Sequence, residues 1–373
     1  MTGDQAHGVR EIALPDGSWG WLVTGYDAAR QALSERRLSK VLTAGEVGLT
    51  PELTSAMLRQ MLFLDPPDHT RLRRLVSAVF TPRRVEDLRP RIDQIATGLL
   101  DAITVHETVD LIEVFANPLP LQVICELLGV PIEDRTAFRD WSAIIAAGPA
   151  RQGELPDALA ELLVRIRAML ADRAARPGND LVSGLLAVRD EGDRLSEDEL
   201  TSMVFMLVIA GYETTVNLIG NGVVALLEDR GRWIRLRGEP ELLPTAVEEF
   251  IRFEPPIAIT TQRRATATFE LGGQTIPAGS LVLVSLAEAN RDATRFPDAD
   301  ELRLDRPRTQ HLGFGYGIHH CIGAPLARVQ AQVAFTALMT RFPDLDLAVS
   351  VGDVARRSDF QRGVTWLPVR LRG

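Results

Sequence analysis

Short apolar runs separated by turn residues open the chain. Val9 to Leu14 and Trp19 to Val23 read as two strands, and Pro15-Asp16-Gly17-Ser18 between them reads as a hairpin turn, because Asp-Gly supplies the positive φ angles such turns need. From about Asp27 to Phe253 the pattern is that of a long, mostly helical middle. A second β signal follows at Thr268 to Leu271, Gly272-Gly273, Gln274 to Ile276 and Ser280 to Ser285. A last long helix is predicted from about Ala324 to Arg341, with strand-like residues closing the chain. There is no internal repeat and no low-complexity linker. The expected architecture is one mainly α domain over residues 1–373 with small β-sheets, β-rich near 9–23 and 257–285.

One predicted helix carries an internal contradiction. Ser196-Glu-Asp-Glu199 is a capping box, in which the serine caps the helix and Glu199 returns to the cap N–H. Apolar residues then run to about Leu227, roughly 30 residues or about 45 Å at 1.5 Å per residue. Gly211 sits in the middle, where glycine costs about 1 kcal/mol relative to alanine. Glu213, Thr214, Thr215 and Asn217 break an otherwise apolar sequence. A buried helix with a polar notch beside a glycine points either to a site or to a seam facing a water-filled groove.

Composition narrows the function classes. Hydrophobic residues make up 46% of 373, enough to bury a large core and to exclude wholesale disorder. Aromatics are few, and the Ala, Leu and Val content favours helices. The net charge of −9 gives no basic nucleic-acid footprint. Nearly all the positive charge is arginine, since Lys40 is the only lysine. Met1 to Arg10 lacks the apolar centre of a signal peptide. The longest apolar run, Met203 to Gly211, is too short to span a bilayer. Two cysteines, Cys125 and Cys321, are too few for a secreted disulfide scaffold. The expectation is a cytoplasmic, reduced protein acting on neither nucleic acid nor membrane.

The richest segment runs from His311 through Leu-Gly-Phe-Gly-Tyr-Gly-Ile-His-His-Cys321 to Arg328. Gly313, Gly315 and Gly317 permit turns that other residues resist. Cys321 stands just before a helix with Pro325 in its first turn, a place that tolerates proline. The N–H groups and dipole of a helix start favour thiolate over thiol, and Gly323 lets a large flat group approach the backbone. Cys125, in an amphipathic helix, reads as a small buried hydrophobe.

The full pattern Phe314-x-x-Gly317-x-His319-x-Cys321-x-Gly323 resembles the haem-binding loop of the cytochrome P-450 family, whose thiolate pushes electron density toward O–O cleavage. Other matches follow in family order. Ala210-Gly211-Tyr-Glu213-Thr214-Thr215 resembles the oxygen-activating stretch of the long distal helix. Gly211 would give space, and Thr214 and Glu213 an alcohol and an acid for proton delivery. Glu249-x-x-Arg252, with Arg306 in Leu304-Asp-Arg-Pro307, resembles the family's buried structural ion network. Leu64-Asp-Pro-Pro-Asp-His69-Thr-Arg-Leu-Arg73-Arg74 matches a helix start whose histidine and arginine bind haem propionates, and Arg263 and His319 match further propionate contacts. Arg74 and Arg264 read as surface charges. The resemblance departs at the start, where the family usually has a Pro-rich segment and a short helix before the hairpin.

The resemblance implies a P-450 fold with haem b (iron protoporphyrin IX) between the long distal helix and the cysteine-loop helix. Cys321 would ligate iron, with Phe314, Gly315 and Gly323 shaping the haem seat. O2 would be the co-substrate, and electrons would come from NAD(P)H through ferredoxin reductase and a ferredoxin docking near Arg73, Arg74 or Arg328. The protein is expected to be a monomer. A small natural product, such as a polyketide, macrolide, terpenoid or peptide, would lie against Leu62, Phe63, Met206, Leu207, Ile257, Ala258, Ile259 and Thr260, placed by their distance from the motifs. Hydroxylation or epoxidation leads. Oxidative coupling or rearrangement on the same haem is the alternative, and a non-catalytic haem-binding protein comes last, since a sensor has no need of an acid–alcohol pair.

Overall fold

The computed structural model describes residues 8–14, 17–42, 50–104, 108–147, 151, 153–188, 195–307 and 310–371. The chain divides into two compact units. One comprises Met1–Ser39, Arg89–Asn117 and Thr214–Gly373, the other Lys40–Leu88 and Pro118–Glu213.

Among the described residues, all strands belong to the first unit. β1 (Val9–Ala13) and β2 (Trp19–Val23) form the expected antiparallel hairpin with Val9 opposite Val23. Pro15 and Asp16 of its turn lie outside the described residues, but Gly17 has the left-handed φ of 82° that the turn was expected to need. β3 (Leu38–Ser39) and β4 (Thr108–Asp110) are too short to leave a sequence signal. β5 (Arg263–Ala265) precedes the hairpin of β6 (Phe269–Leu271) and β7 (Gln274–Ile276). That hairpin turns on Gly272 and Gly273, both at positive φ. With β8 (Leu281–Val284) the largest sheet has the order β1-β2-β8-β5-β3. β9 (Asp346–Leu347), β10 (Ala355–Ser358), β11 (Arg362–Trp366) and β12 (Pro368–Arg370) close the chain. β10 pairs with β11, and β12 lies between β4 and β9.

Helices Arg89–Asp101, Arg230–Gly238 and Leu243–Phe253 of this unit pack against Ala324–Arg341, the cysteine-loop helix, which has the extent predicted for it. Phe335 on that helix meets Phe250 of helix Leu243–Phe253 at a ring separation of 5.0 Å. Helix Glu213–Leu227 reaches the same pair through Gly222, where an added Cβ would stand 2.5 Å from the Phe335 ring. The glycine is there because aromatic side chains occupy its missing methyl.

Among the described residues, the regular structure of the second unit is all helix. Helix Glu197–Gly211 is its spine: Leu200 to Val208 are all buried, and it packs against helices Pro51–Leu58, Pro118–Leu128, Arg135–Ala147 and Leu155–Ala175. Its capping box is present with both hydrogen bonds. The predicted continuous helix is interrupted once. Regular structure stops at Gly211, Tyr212 adopts φ −114° and ψ −48°, and a new helix starts at Glu213. Glu197–Leu227 is long and apolar enough to cross a bilayer, but the qualifying window is 72% buried inside the protein.

Two glycines in helices should respond oppositely to alanine. Gly222→Ala overpacks the Phe250–Phe335 contact and should lower stability by about 1–3 kcal/mol. Gly98, in helix Arg89–Asp101, has nothing within 4 Å of an added Cβ, so Gly98→Ala should raise stability by up to about 1 kcal/mol. Denaturant titration of both variants checks the pair of signs.

Candidate functional site around the cysteine loop

The loop before Cys321 is held by its backbone. Gly315 and Gly317 have φ of 72° and 73°, values an L side chain rarely adopts. The Cys321 N–H donates to the Phe314 carbonyl at 2.9 Å, and Gly315 N–H to Leu312 O at 2.7 Å. Gly317 leaves no room for a side chain, since an added Cβ would come 2.9 Å from the Leu33 carbonyl oxygen. Tyr316 is fixed from helix Tyr26–Ser34, where Arg30 donates to its hydroxyl at 2.8 Å.

The two cysteines differ as expected. Cys125 is buried, and burial pushes its thiol up to about 11. Cys321 is exposed at the entry to helix Ala324–Arg341. An added Cβ at Gly323 would sit 3.7 Å from the Cys321 sulfur, so the glycine keeps the sulfur's flank clear. A soft donor at a helix start with glycine beside it could ligate a haem iron.

Behind the loop lies a buried ion network. Glu249, Arg252 and Arg306 are 3%, 1% and 4% exposed. Arg252 Nε and Nη2 donate to the two Glu249 oxygens at 2.7 and 2.8 Å, and Arg306 Nε donates to the same carboxylate at 3.0 and 3.1 Å. The remaining donors go to backbone carbonyls of Asn290, Pro297, Asp298, Ala299 and Glu301.

A second network was not foreseen. Glu248, next to Glu249, takes two hydrogen bonds from Arg328, at 2.6 and 2.8 Å, and faces His311 Nε2 at 3.1 Å. Burial alone would push the Glu248 carboxyl up, but the bonds from Arg328 and His311 outweigh it and hold it at about 2. The Arg328 guanidinium also lies over the Phe314 ring at 4.6 Å, so this proposed docking arginine is occupied within the fold. The sequence signal was the adjacency of two glutamates, of which the motif uses only the second.

His69 and Arg73 stand one turn apart on helix Asp68–Val79, His69 buried and Arg73 half-buried. Burial, then the charges of Arg73 and Lys40, push the His69 imidazole down, so the cluster disfavours further positive charge and suits an anion. Lys40 is itself only 4% exposed, and being the chain's single lysine was its one sequence signal. Arg263, on β5, is buried, and His319 is half-buried in the cysteine loop. Arg74 and Arg264, read as surface charges, are exposed.

At the notch, Gly211 faces Ile124, whose Cδ1 would lie 3.0 Å from an added Cβ. Ala210 is exposed, and Glu213 and Thr214 are half-buried. Asn217 belongs elsewhere: it donates to the Gln361 side chain at 3.1 Å. The expected substrate contacts lie on several different elements. Phe63 lines a cavity of about 340 Å3 with Val41, Leu42, Leu58 and Leu64. Leu62 is half-buried beside it in sequence, and Met206 and Leu207 are buried on the spine helix. Ile257, Ala258, Ile259 and Thr260 form an extended connection, with the Ala258 and Thr260 N–H groups donating to Phe360 and Val284 carbonyls.

Residues 150–347 match the family profile described as Cytochrome P-450. Over 374 residues the chain is 45% identical to "Cytochrome P-450 107B1" of Saccharopolyspora erythraea, covering 97% of this chain and 92% of that one. The chain belongs to the cytochrome P-450 family. It is likewise 45% identical to "Cytochrome P-450 monooxygenase PikC" of Streptomyces venezuelae, with 98% and 88% covered. The solved structure of the P-450 PksS of the Bacillus subtilis 168 bacillaene polyketide synthase superposes with a TM-score of 0.92 at 38% identity, covering 99% and 95%. The mainly α fold with small sheets is therefore the P-450 fold, and the protein is an oxidoreductase of the monooxygenase kind. Family membership carries with it haem, O2 as co-substrate, an organic substrate and redox partners.

The Glu248 carboxylate has a depressed pKa, so its stabilisation is complete above the ordinary value of 4.5 and is lost as pH falls toward 2. Glu248→Gln should therefore melt below the unaltered protein at neutral pH, with the gap narrowing as pH drops through 4.5. Thermal melts across that range check it, and a pH-independent gap would contradict the assignment.

Proposed function

We propose that this P-450 oxidises a polyketide-class natural product by hydroxylation or epoxidation, with Cys321 as the iron ligand. The observation that carries the reading is Cys321 at the entry to helix Ala324–Arg341, its N–H bound to the Phe314 carbonyl in a loop that turns on the positive-φ Gly315 and Gly317. The substrate class rests on likeness to PksS, a protein of a polyketide synthase; the cavity at Phe63, which mixes apolar side chains with Thr54, Ser55 and Arg59, could take a ligand of both characters.

Haem, when bound, supplies the one-electron and oxygen chemistry that no side chain provides. The chain supplies the rest. Cys321 would supply the thiolate sulfur, with Phe314, Gly315 and Gly323 beside the macrocycle. His69, Arg73, Arg263 and His319 would hold the two propionates through charge-assisted hydrogen bonds. Ala210 would leave room beside the bound group, Gly211 lets Ile124 pack against the helix at the same turn, the Thr214 hydroxyl would hold a water there, and Glu213, half-buried, would pass protons in from solvent. Leu62, Phe63, Met206, Leu207, Ile257, Ala258, Ile259 and Thr260 face the substrate. Electrons come from NAD(P)H through ferredoxin reductase and ferredoxin. The whole chain works as one domain and as a monomer in the cytoplasm.

Cys321→Ser should lose the reduced carbon-monoxide Soret band of thiolate haem, while Cys125→Ser, altering a buried thiol, should keep it. Retention of the band in Cys321→Ser would overturn the ligand assignment.

Thr214→Ala should leave the haem spectrum and substrate affinity nearly intact. Reductant should still be consumed but end as hydrogen peroxide or water, with product formation dropping by as much as about 100-fold, the low end of what a positioned proton donor contributes. Measuring product per reductant consumed checks this, using substrates with and without a hydroxyl near the oxidised carbon. Full coupling with every substrate would make the notch structural.

A further inference from the structure

One carboxylate closes the cysteine loop at both ends. His311 begins the loop, and Arg328 lies in the first turns of the helix that follows it. Both are bound to Glu248, Arg328 through two hydrogen bonds at 2.6 and 2.8 Å and His311 at 3.1 Å. His311 Nδ1 accepts the Gly313 N–H at 3.1 Å. Its ring proton therefore sits on Nε2, directed at Glu248. Gly313 presses on the glutamate's own helix, since an added Cβ would come 2.4 Å from Ile251 Cγ2 and 2.9 Å from Ile251 O.

Arg328 is the link from this clasp to the sulfur. Its guanidinium covers Phe314 at 4.6 Å, and the Phe314 carbonyl accepts the Cys321 N–H at 2.9 Å. Its pKa is raised first by the hydrogen bond to Glu248, against burial, and in smaller part by the charge of Cys321. Carboxylate and guanidinium therefore stand in line toward Cys321, their side chains about one-quarter and one-third exposed. A cavity of about 10 Å3 lies among Glu248, Glu249, Arg252, Arg306 and His311, space on the order of one water. The adjacent carboxylates thus divide their work: Glu249 fixes the irregular segment before the loop, and Glu248 the loop itself.

We propose that Glu248 is a positioning residue which, by holding and neutralising Arg328, sets the positive charge felt by the Cys321 thiolate. This rests on Cys321 being the haem ligand. A plain brace would depend on shape alone; this one depends on charge as well. With Glu248 neutral, Arg328 presents its full charge to the thiolate and favours the reduced, more negative haem. With Arg328 neutral, the opposite holds.

The test is the midpoint reduction potential of the purified haem-loaded protein, by dye-coupled titration, alongside thermal melts and the reduced carbon-monoxide spectrum. Glu248→Gln should shift the potential upward and Arg328→Gln downward. The double variant, charge-balanced again, should return toward the unaltered protein. Glu248→Asp keeps the charge on a shorter arm, so it should lower the melting temperature with little change in potential. Unmoved potentials in the two single Gln variants, or shifts in the same direction, would overturn the proposal. Should neither variant retain haem, Glu248 is a structural clasp only and the proposal falls. Absence of the thiolate band in the unaltered protein would overturn the ligand reading and this inference with it, whereas a normal band with unmoved potentials overturns this inference alone.

Discussion

A carboxylate and two guanidinium groups nearly out of water must satisfy one another and the backbone around them, or the fold does not hold. Glu249, Arg252 and Arg306 do so closely. Arg252 has five N–H groups, and all five are used: two on Glu249 and three on the carbonyls of Asn290, Ala299 and Glu301. Removing one member would strand the others at a cost of about 3–5 kcal/mol. The carbonyls concerned lie in a stretch, residues 290–301, with almost no regular structure. Buried peptide groups need partners wherever they are, and here two arginines stand in for a sheet or helix ladder. From this stretch the constraint reaches the cysteine loop, because the Asn290 side chain accepts the Leu312 N–H at 2.6 Å.

That dependence explains which parts of the molecule were legible in the sequence. Features written in local chemistry were readable: the Ser196 capping box, the Gly272-Gly273 turn, the extent of Ala324–Arg341, and the positive-φ glycines before Cys321. Each depends on neighbours a few residues away. Contacts made by distant segments were not readable. Nothing near Glu248 in sequence reveals that its partners stand 63 and 80 positions later. Nothing around Gly211 names Ile124 as the side chain that occupies its missing methyl. β3 and β4 consist of two and three residues, below the length at which alternation can be recognised, and each forms against an antiparallel partner far away in sequence, β5 for β3 and β12 for β4.

The polar residues of Glu213–Leu227 show where pattern reading must yield to partner counting. From the sequence they formed one group, a hydrophilic interruption of an apolar helix. In the fold they serve different ends. Asn217 donates to Gln361, and Asn221 donates to the carbonyls of Glu254 and Arg362 at 3.3 and 3.1 Å. Gly363 on β11 has its Cβ position filled by the Asn217 amide oxygen. These asparagines tie the helix to the β10–β11 hairpin and its approach. An unpaired amide at such depth would cost free energy that a hydrophobic residue would not, so their presence is accounted for by packing. Glu213 and Thr214 differ, being half-buried at the start of the helix, immediately after the irregular Tyr212. Burial also pushes the Tyr212 hydroxyl up, with the Glu213 charge adding to it. The acid and the alcohol sit where regular helix gives way, and the asparagines sit where it is continuous and covered.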